Sequence, residues 1–162
     1  MMPKFDNKKL VSMMEWIRPL GISFIIFFAY FFGNDPISRF HIMGPFIVLL
    51  MSGTVALEGL LFGDAASEKI GYIPNKAYQI QSRLNNAATA ITAVLVYVLD
   101  WGRYADSTIV TVMLMFFTFS AANHAVSAIK DHNMKTVNLL RPVMSLLLIT
   151  ILVPHMIQAL HQ

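Results

Sequence analysis

Three side chains in this sequence have the types that chemistry needs: Glu58 in VALEGLLFG, Arg83 in QSRLNNA and His124 in AANHAVS. A positioned carboxyl serves as acid or base, an imidazole changes charge near neutral pH, and a guanidinium clamps anions. Together they describe a site for a polar or anionic ligand, with Glu58 and His124 as the catalytic candidates if there is catalysis. Glu58 is the sharpest of the three. Its neighbours are apolar on both sides, so the carboxylate needs a partner, and Arg83 and His124 are the ones expected. A Glu–His pair is not diagnostic of an enzyme. Triad arrangements, P-loops and G-x-G-x-x-G are absent, as are the aromatic–basic patterns of nucleic-acid binders.

Amides surround these groups. YQIQSRLNNAAT, Tyr78 to Thr89, opens a hydrophobic segment with residues that lipid does not solvate. Gln79, Ser82, Arg83, Asn86 and Ala90 follow the i, i+3, i+4 pattern of one helix face. Tyr78, Gln81, Asn85 and Thr89 line an adjacent face, and Ser120, Asn123, His124 and Ser127 share a side further on. All of these faces are expected to turn inward, because ionisable or amide groups against lipid are costly. Tyr78, Gln79, Gln81, Ser82, Arg83, Asn85, Asn86, Asn123, His124 and Arg141 are therefore the candidate ligand-binding set. A plainer account covers the same residues. Long cations near helix ends snorkel, and interhelical amide bonds worth about 1 kcal/mol each can serve packing alone.

The elements that must carry these groups are membrane helices. The chain has 162 residues, 56% hydrophobic and only 13% charged, a composition far from the quarter-charged norm of soluble domains. That length suits one domain, 1–162. Apolar runs of about 20 residues, enough to span a bilayer, occur near 14–33, 37–63, 76–99, 108–129 and 142–160. Glu15, Arg18 and Pro19 compromise the first run, so four spans are the alternative to five. That run reads as a retained signal anchor rather than a cleaved leader, since FFAYFFGND offers no small-x-small cleavage site.

Five spans place Lys4, Lys8, Lys9, Arg18, Lys69, Lys76, Arg83, Lys130, Lys135 and Arg141 on one side and leave Arg39 and Arg103 on the other. By the positive-inside rule the N-terminus is cytoplasmic. Trp16 and Trp101 fall near the two interfaces. Short connections, except DAASEKIGYIPNK, predict an up-and-down antiparallel bundle. In that loop, Pro74 and Asn75 mark a turn and helix start. Alanines 87, 90 and 93, then 121, 125 and 128, allow close helix packing. Threading puts Glu58, the Gln79–Asn86 cluster, Asn123, His124, Asn138 and Arg141 at one cytoplasmic depth, in a pocket built by helices two, three and four.

Cofactor chemistry has little support. There is no cysteine and no H-E-x-x-H. His41 and His155, at similar outer depth on different helices, are the axial-haem alternative, though interfacial histidines are far commoner. Any cofactor is therefore left unknown.

GYIPNKAYQIQSRLNNA (71–87), AANH (121–124) and NLLRP (138–142) resemble a family of small bacterial polytopic membrane proteins of unknown function. The likeness covers 71–142, and the helical bundle is loosely similar to DoxX-like membrane proteins. The resemblance implies a helical membrane domain whose polar signature is Tyr78, Gln79, Gln81, Asn85, Asn86, Asn123 and His124. It implies no activity, substrate or cofactor.

The expectation is thus an all-α, multi-pass protein of the bacterial inner membrane. Its partners are the lipid bilayer and a small polar ligand or lipid headgroup, not nucleic acid. A membrane enzyme acting on a lipid or isoprenoid and a haem- or quinone-linked redox subunit are the alternatives. The aromatic surface FIIFFAYFF suits homo-oligomerisation.

Overall fold

The computed structural model describes residues 7–71 and 76–162, and all regular structure among them is helical. Five helices follow one another: α1 Asn7–Phe32, α2 Pro36–Ile70, α3 Lys76–Val98, α4 Arg103–Lys130 and α5 Thr136–Leu160. Among the described residues α1, α2, α4 and α5 are long and apolar enough to cross a membrane, while α3 is not by itself. The chain is a multi-pass membrane protein in this sense.

α2 is the spine. It packs against each of the other four helices, whereas α1 packs its backbone only against α2. Phe40, Met43, Ile47, Val48 and Met51 of α2 are buried and meet Val110 and Met113 of α4, Leu148 and Leu152 of α5, and Ala93 and Val96 of α3. Outward, Phe24, Phe27 and Phe31 on α1, Leu146 and Leu147 on α5, and Leu61 on α2 are exposed. Such an apolar exterior is what a bilayer solvates and water does not.

Four boundaries differ from the hydropathy reading: α4 starts at Arg103 and not near residue 108, and the other three differ for a polar reason. α1 starts at Asn7 and not near residue 14, because Ser12, Glu15 and Arg18 are docked on α2 by hydrogen bonds. α2 continues to Ile70 through DAASEKI, expected to be a connection. Its 35 residues make a rod of about 52 Å at 1.5 Å per residue, well beyond a hydrocarbon core of about 30 Å. α5 starts at Thr136, six residues before Pro142. The Pro74–Asn75 turn lies outside the described residues.

α2 is not one straight rod. Phe62 has φ −130° and ψ 27°, which breaks the helical path beside Gly63. At its start, Pro36 occupies the first turn and Asp35 caps it: the Ser38 N–H donates to Asp35 Oδ1 at 3.0 Å, and the Asp35 N–H donates to Ser38 Oγ at 3.2 Å. At its end Gly71 takes φ +82° and donates its N–H to the Ser67 and Glu68 carbonyls, a left-handed stop that disfavours a side chain.

The Asp35 cap yields a pH prediction. The Ser38 backbone N–H, then its hydroxyl, hold the Asp35 carboxyl below its ordinary value. A depressed folded-state pKa adds stability that is present above the ordinary carboxylate range and lost as pH falls through the folded value. Asp35→Asn, which still caps but does not titrate, is expected to flatten this acid limb in thermal unfolding of detergent-solubilised protein. An unchanged limb would show that the cap does not contribute.

Candidate functional site

The polar residues gather at the end formed by the start of α1, the C-terminus of α2, the start of α3, the end of α4 and the start of α5. Among the described residues they form three clusters rather than one pocket.

The first cluster joins α1 to α2. Arg18 forms an ion pair with Glu58 and donates from Nε to Thr54 Oγ1 at 2.9 Å. Both charged side chains are nearly buried, 14% and 8% exposed. Two to three turns along, Lys69 pairs with Glu15 and donates to Ser12 Oγ at 3.0 Å. This corrects the expected partnership: Glu58 is held by Arg18, not by Arg83 or His124. The reason is the length of α1, which carries Arg18 down the flank of α2 as part of a helix. Val11, Glu15, Arg18, Ile22 and Ala29 recur every three, four or seven residues. That stripe is the signal by which α1's packed face could have been found.

The second cluster joins α2 to α3. Gln79 donates to Ser67 Oγ at 2.6 Å, and Arg83 donates to Gln79 Oε1 at 2.8 Å. The Arg83 side chain lies across Gly59 and Gly63, where a Cβ on either glycine would overlap it. Further along the pair, Ala90 sits beside Gly53 and Tyr97 stacks on His41. α3 therefore runs antiparallel beside α2 over most of its length. The face of Gln79, Ser82, Arg83, Asn86 and Ala90 turns inward, with Asn86 only 2% exposed and donating back to the Ser82 carbonyl. The adjacent face does not. Gln81 and Asn85 are exposed, since α3 meets only α2 and α4 and keeps an outer side. The Tyr78 side chain lies outside the described residues.

The third cluster is a directional chain of hydrogen bonds. Arg141 Nη1 lies 3.0 Å from His124 Nε2, and His124 Nδ1 lies 2.7 Å from Asn138 Oδ1. A guanidinium only donates, so Nε2 accepts, the ring proton sits on Nδ1, and Nδ1–H donates to Asn138. The fully buried Asn138 then donates from Nδ2 to the Ile70 carbonyl at 3.2 Å and the Asn133 carbonyl at 3.1 Å. Asn133 also donates to Ile70 O, at 3.0 Å. Two asparagines thus satisfy the last carbonyl of α2, that of Ile70, which a helix end otherwise leaves open. Sequence reading named His124 and Arg141 but missed that Asn138 is the hub. Asn123, on the same helix as His124, is exposed on the bundle.

An opening of about 550 Å³ at this end is lined by Ser12, Glu68, Lys69 and Lys135, from α1, α2 and the start of α5. It differs from the pocket expected among helices two, three and four. Lys135 donates to the Glu68 carbonyl at 3.4 Å across it.

The opposite end has its own polar pairs. His41 Nδ1 lies 2.9 Å from Asp106 Oδ2. His155 donates from Nδ1 to the Ile151 carbonyl at 2.7 Å, so its Nε2 accepts from the Tyr30 hydroxyl at 2.8 Å. Both His155 nitrogens are engaged, which leaves neither for axial ligation. Asp106, completely buried, was not foreseen: a carboxylate in a helix's first turn reads as a dipole partner.

Removing one member of a buried ion pair strands the other charge. Arg18→Leu is expected to destabilise the protein by about 3 kcal/mol, read by thermal or denaturant unfolding in detergent. Arg18→Leu with Glu58→Leu should regain most of that loss. Equal and additive losses would show that the two groups do not interact.

Comparison with curated proteins and with solved structures gives no match. A family model does match, over residues 41–161, from the second turn of α2 to the end of the chain, leaving α1 outside it. The polar chain and the Arg83 groove fall within that match, and the chain belongs to the family described as "Family of unknown function (DUF6790)".

Proposed function

We propose that this is a five-span protein of the bacterial inner membrane, with its N-terminus in the cytoplasm, that binds a phosphate-bearing anion at its basic end. The anion is a lipid headgroup or a free small polar molecule. The observation that carries this reading is the opening between α1, α2 and α5, where Lys135, which donates to a backbone carbonyl, and Lys69, which pairs with Glu15, flank a space of about 550 Å³. Lysine ammonium groups at a membrane surface attract anionic headgroups at about 1 kcal/mol each. Ten of the twelve basic residues fall on this side of the threading, which supports the orientation. The antiparallel run of α3 beside α2 supports a fifth span that its own hydropathy does not.

The test compares lipid retention on the purified protein by native mass spectrometry. In nanodiscs of phosphatidylglycerol and phosphatidylcholine, the anionic lipid should be retained preferentially, and Lys135→Gln, which leaves the Lys69–Glu15 pair intact, should weaken that by about fivefold. Competition by glycerol phosphate would identify a soluble ligand. Equal retention of both lipids by the unmodified protein would overturn the reading.

A second reading rests on Gln81 and Asn85. Exposed amides on a helix too polar to cross alone are well placed to bond another helix. In this reading the protein is an assembly subunit that pairs through α3. Gln81→Leu with Asn85→Leu is expected to shift the detergent-corrected mass towards the monomer. A protein that is already monomeric would exclude it.

A further inference from the structure

At the end of the bundle away from Lys69 and Lys135, one histidine lies between two carboxylates, and the three come from three segments. His41 on α2 meets Asp106 of α4 through Nδ1 at 2.9 Å, and its Nε2 faces Asp100 of the α3–α4 turn at 3.9 Å. Tyr97 of α3 lies over the same ring, centroids 4.9 Å apart and planes 19° apart. The other charged or titratable side chains nearby are engaged elsewhere. Arg39 donates to the Gly33 carbonyl and lies over Tyr30, and Arg103 donates to the Ala159 carbonyl and lies over Tyr104. Asp35 caps α2, and His155 pairs with Tyr30.

Asp100 stands where the end of a helix ordinarily takes glycine. The Trp101 N–H donates to the Val96 carbonyl at 3.2 Å, and the Asp100 N–H donates to the Tyr97 carbonyl at 3.3 Å. That pair of bonds closes a helix around one left-handed residue. Asp100 is that residue, with φ +46°, a conformation that costs aspartate more than glycine. Local structure gives no reason for a carboxylate here. Its place opposite His41 gives one.

Asp106 is completely buried, and its Oδ1 has no hydrogen-bond partner among the described residues. His41 is thus the group that answers its charge. With one proton on the pair, Nδ1–H donates to Asp106 and Nε2 is a bare acceptor turned towards a second acceptor. A second proton reverses that. It leaves either an imidazolium beside a carboxylate or a neutral imidazole beside a carboxylic acid, and in both forms Nε2 carries the hydrogen. The imidazolium form also strengthens the bond to Asp106 and adds a cation–π contact with Tyr97. Among the described residues no three His, Asp or Glu side chains gather to hold a metal ion, so a proton is the ligand these groups suit.

We propose that His41, Asp100 and Asp106 form an acid-closed latch. At 3.9 Å the Asp100 carboxylate is beyond hydrogen-bond reach of Nε2. Protonation draws it into contact and clamps the α3–α4 turn over α2. Deprotonation releases the turn. What the protonated form contributes is present on the acid side of the histidine's titration and lost as pH rises through it. The acidity of the compartment that this end faces is thereby passed to α2, the helix that packs on all the others.

The test is hydrogen–deuterium exchange of the protein in nanodiscs, read by mass spectrometry at about pH 5.5 and about pH 8, which bracket the charge change of histidine. After correction for the chemical exchange rate, the turn Leu99–Gly102 is expected to be about fivefold better protected at the lower pH, the upper range for an exposed ion pair. Asp100→Asn, a surface change that leaves the His41–Asp106 pair in place, should remove the difference by lowering protection at the acid value alone. His41→Asn, whose amide still donates to Asp106 but does not titrate, should remove it too. Equal protection at the two pH values in the unmodified protein overturns the proposal without recourse to any variant. So does a pH dependence that survives His41→Asn, or a loss in Asp100→Asn that is equal at both values. Lys69 and Lys135 lie at the other end, so failure here leaves the headgroup reading untouched, and the reverse holds.

Discussion

A single carboxylate placed in an apolar bundle dictates more of this structure than its size suggests. Glu58 sits on the helix that every other helix touches, nearly out of reach of solvent. An ion in that position is stable only with a counter-ion of good geometry. Arg18 supplies it, and in doing so sets where α1 lies, because α1 packs its backbone on α2 alone. Apolar side chains would let a peripheral helix slide or rotate along a greasy surface. Ion pairs at Arg18–Glu58 and Lys69–Glu15 allow one register.

The same logic runs through the other two clusters. Among the described residues Arg83 meets no carboxylate. It lies in a trough made by Gly59 and Gly63 and is oriented by Gln79, which is oriented in turn by Ser67. His124, Asn138 and Arg141 together close the end of α2 and tie it to α4 and α5. Each cluster joins a different neighbour to the spine. The polar slab is therefore a set of three fasteners, and the opening beside Lys69 and Lys135 shares Ser12 and Lys69 with the first of them.

How much of this the sequence disclosed depends on the kind of information. That Gln79, Arg83 and Asn86 share a buried face was legible, because helical periodicity is a local property. The positions of Glu58, His124 and Arg141 at one end of the bundle were legible too, since depth follows from threading. Pairing was not. Glu58 lies forty residues from Arg18, and no local pattern distinguishes that partner from Arg83 at a similar depth. Hydropathy also misplaced the ends of α1, α2 and α5. A scale that scores Glu15, Arg18, Lys69 and Asn138 as unfavourable does not know that each finds its partner across a helix interface. Asp106 escaped notice for a related reason: its burial is imposed by His41 on another helix.

The trough at Gly59 and Gly63 bears on how the chain is made. α3 falls short of the hydropathy of a membrane span, and two of the residues that make it so, Gln79 and Arg83, lie against α2. The glycines precede Arg83 in the chain, so the receptor for the guanidinium is synthesised before its occupant. On the five-span reading proposed above, α2 lowers the cost of its successor's entry and the two go in as a hairpin. Order of synthesis, no less than final contact, is written into that pair of glycines.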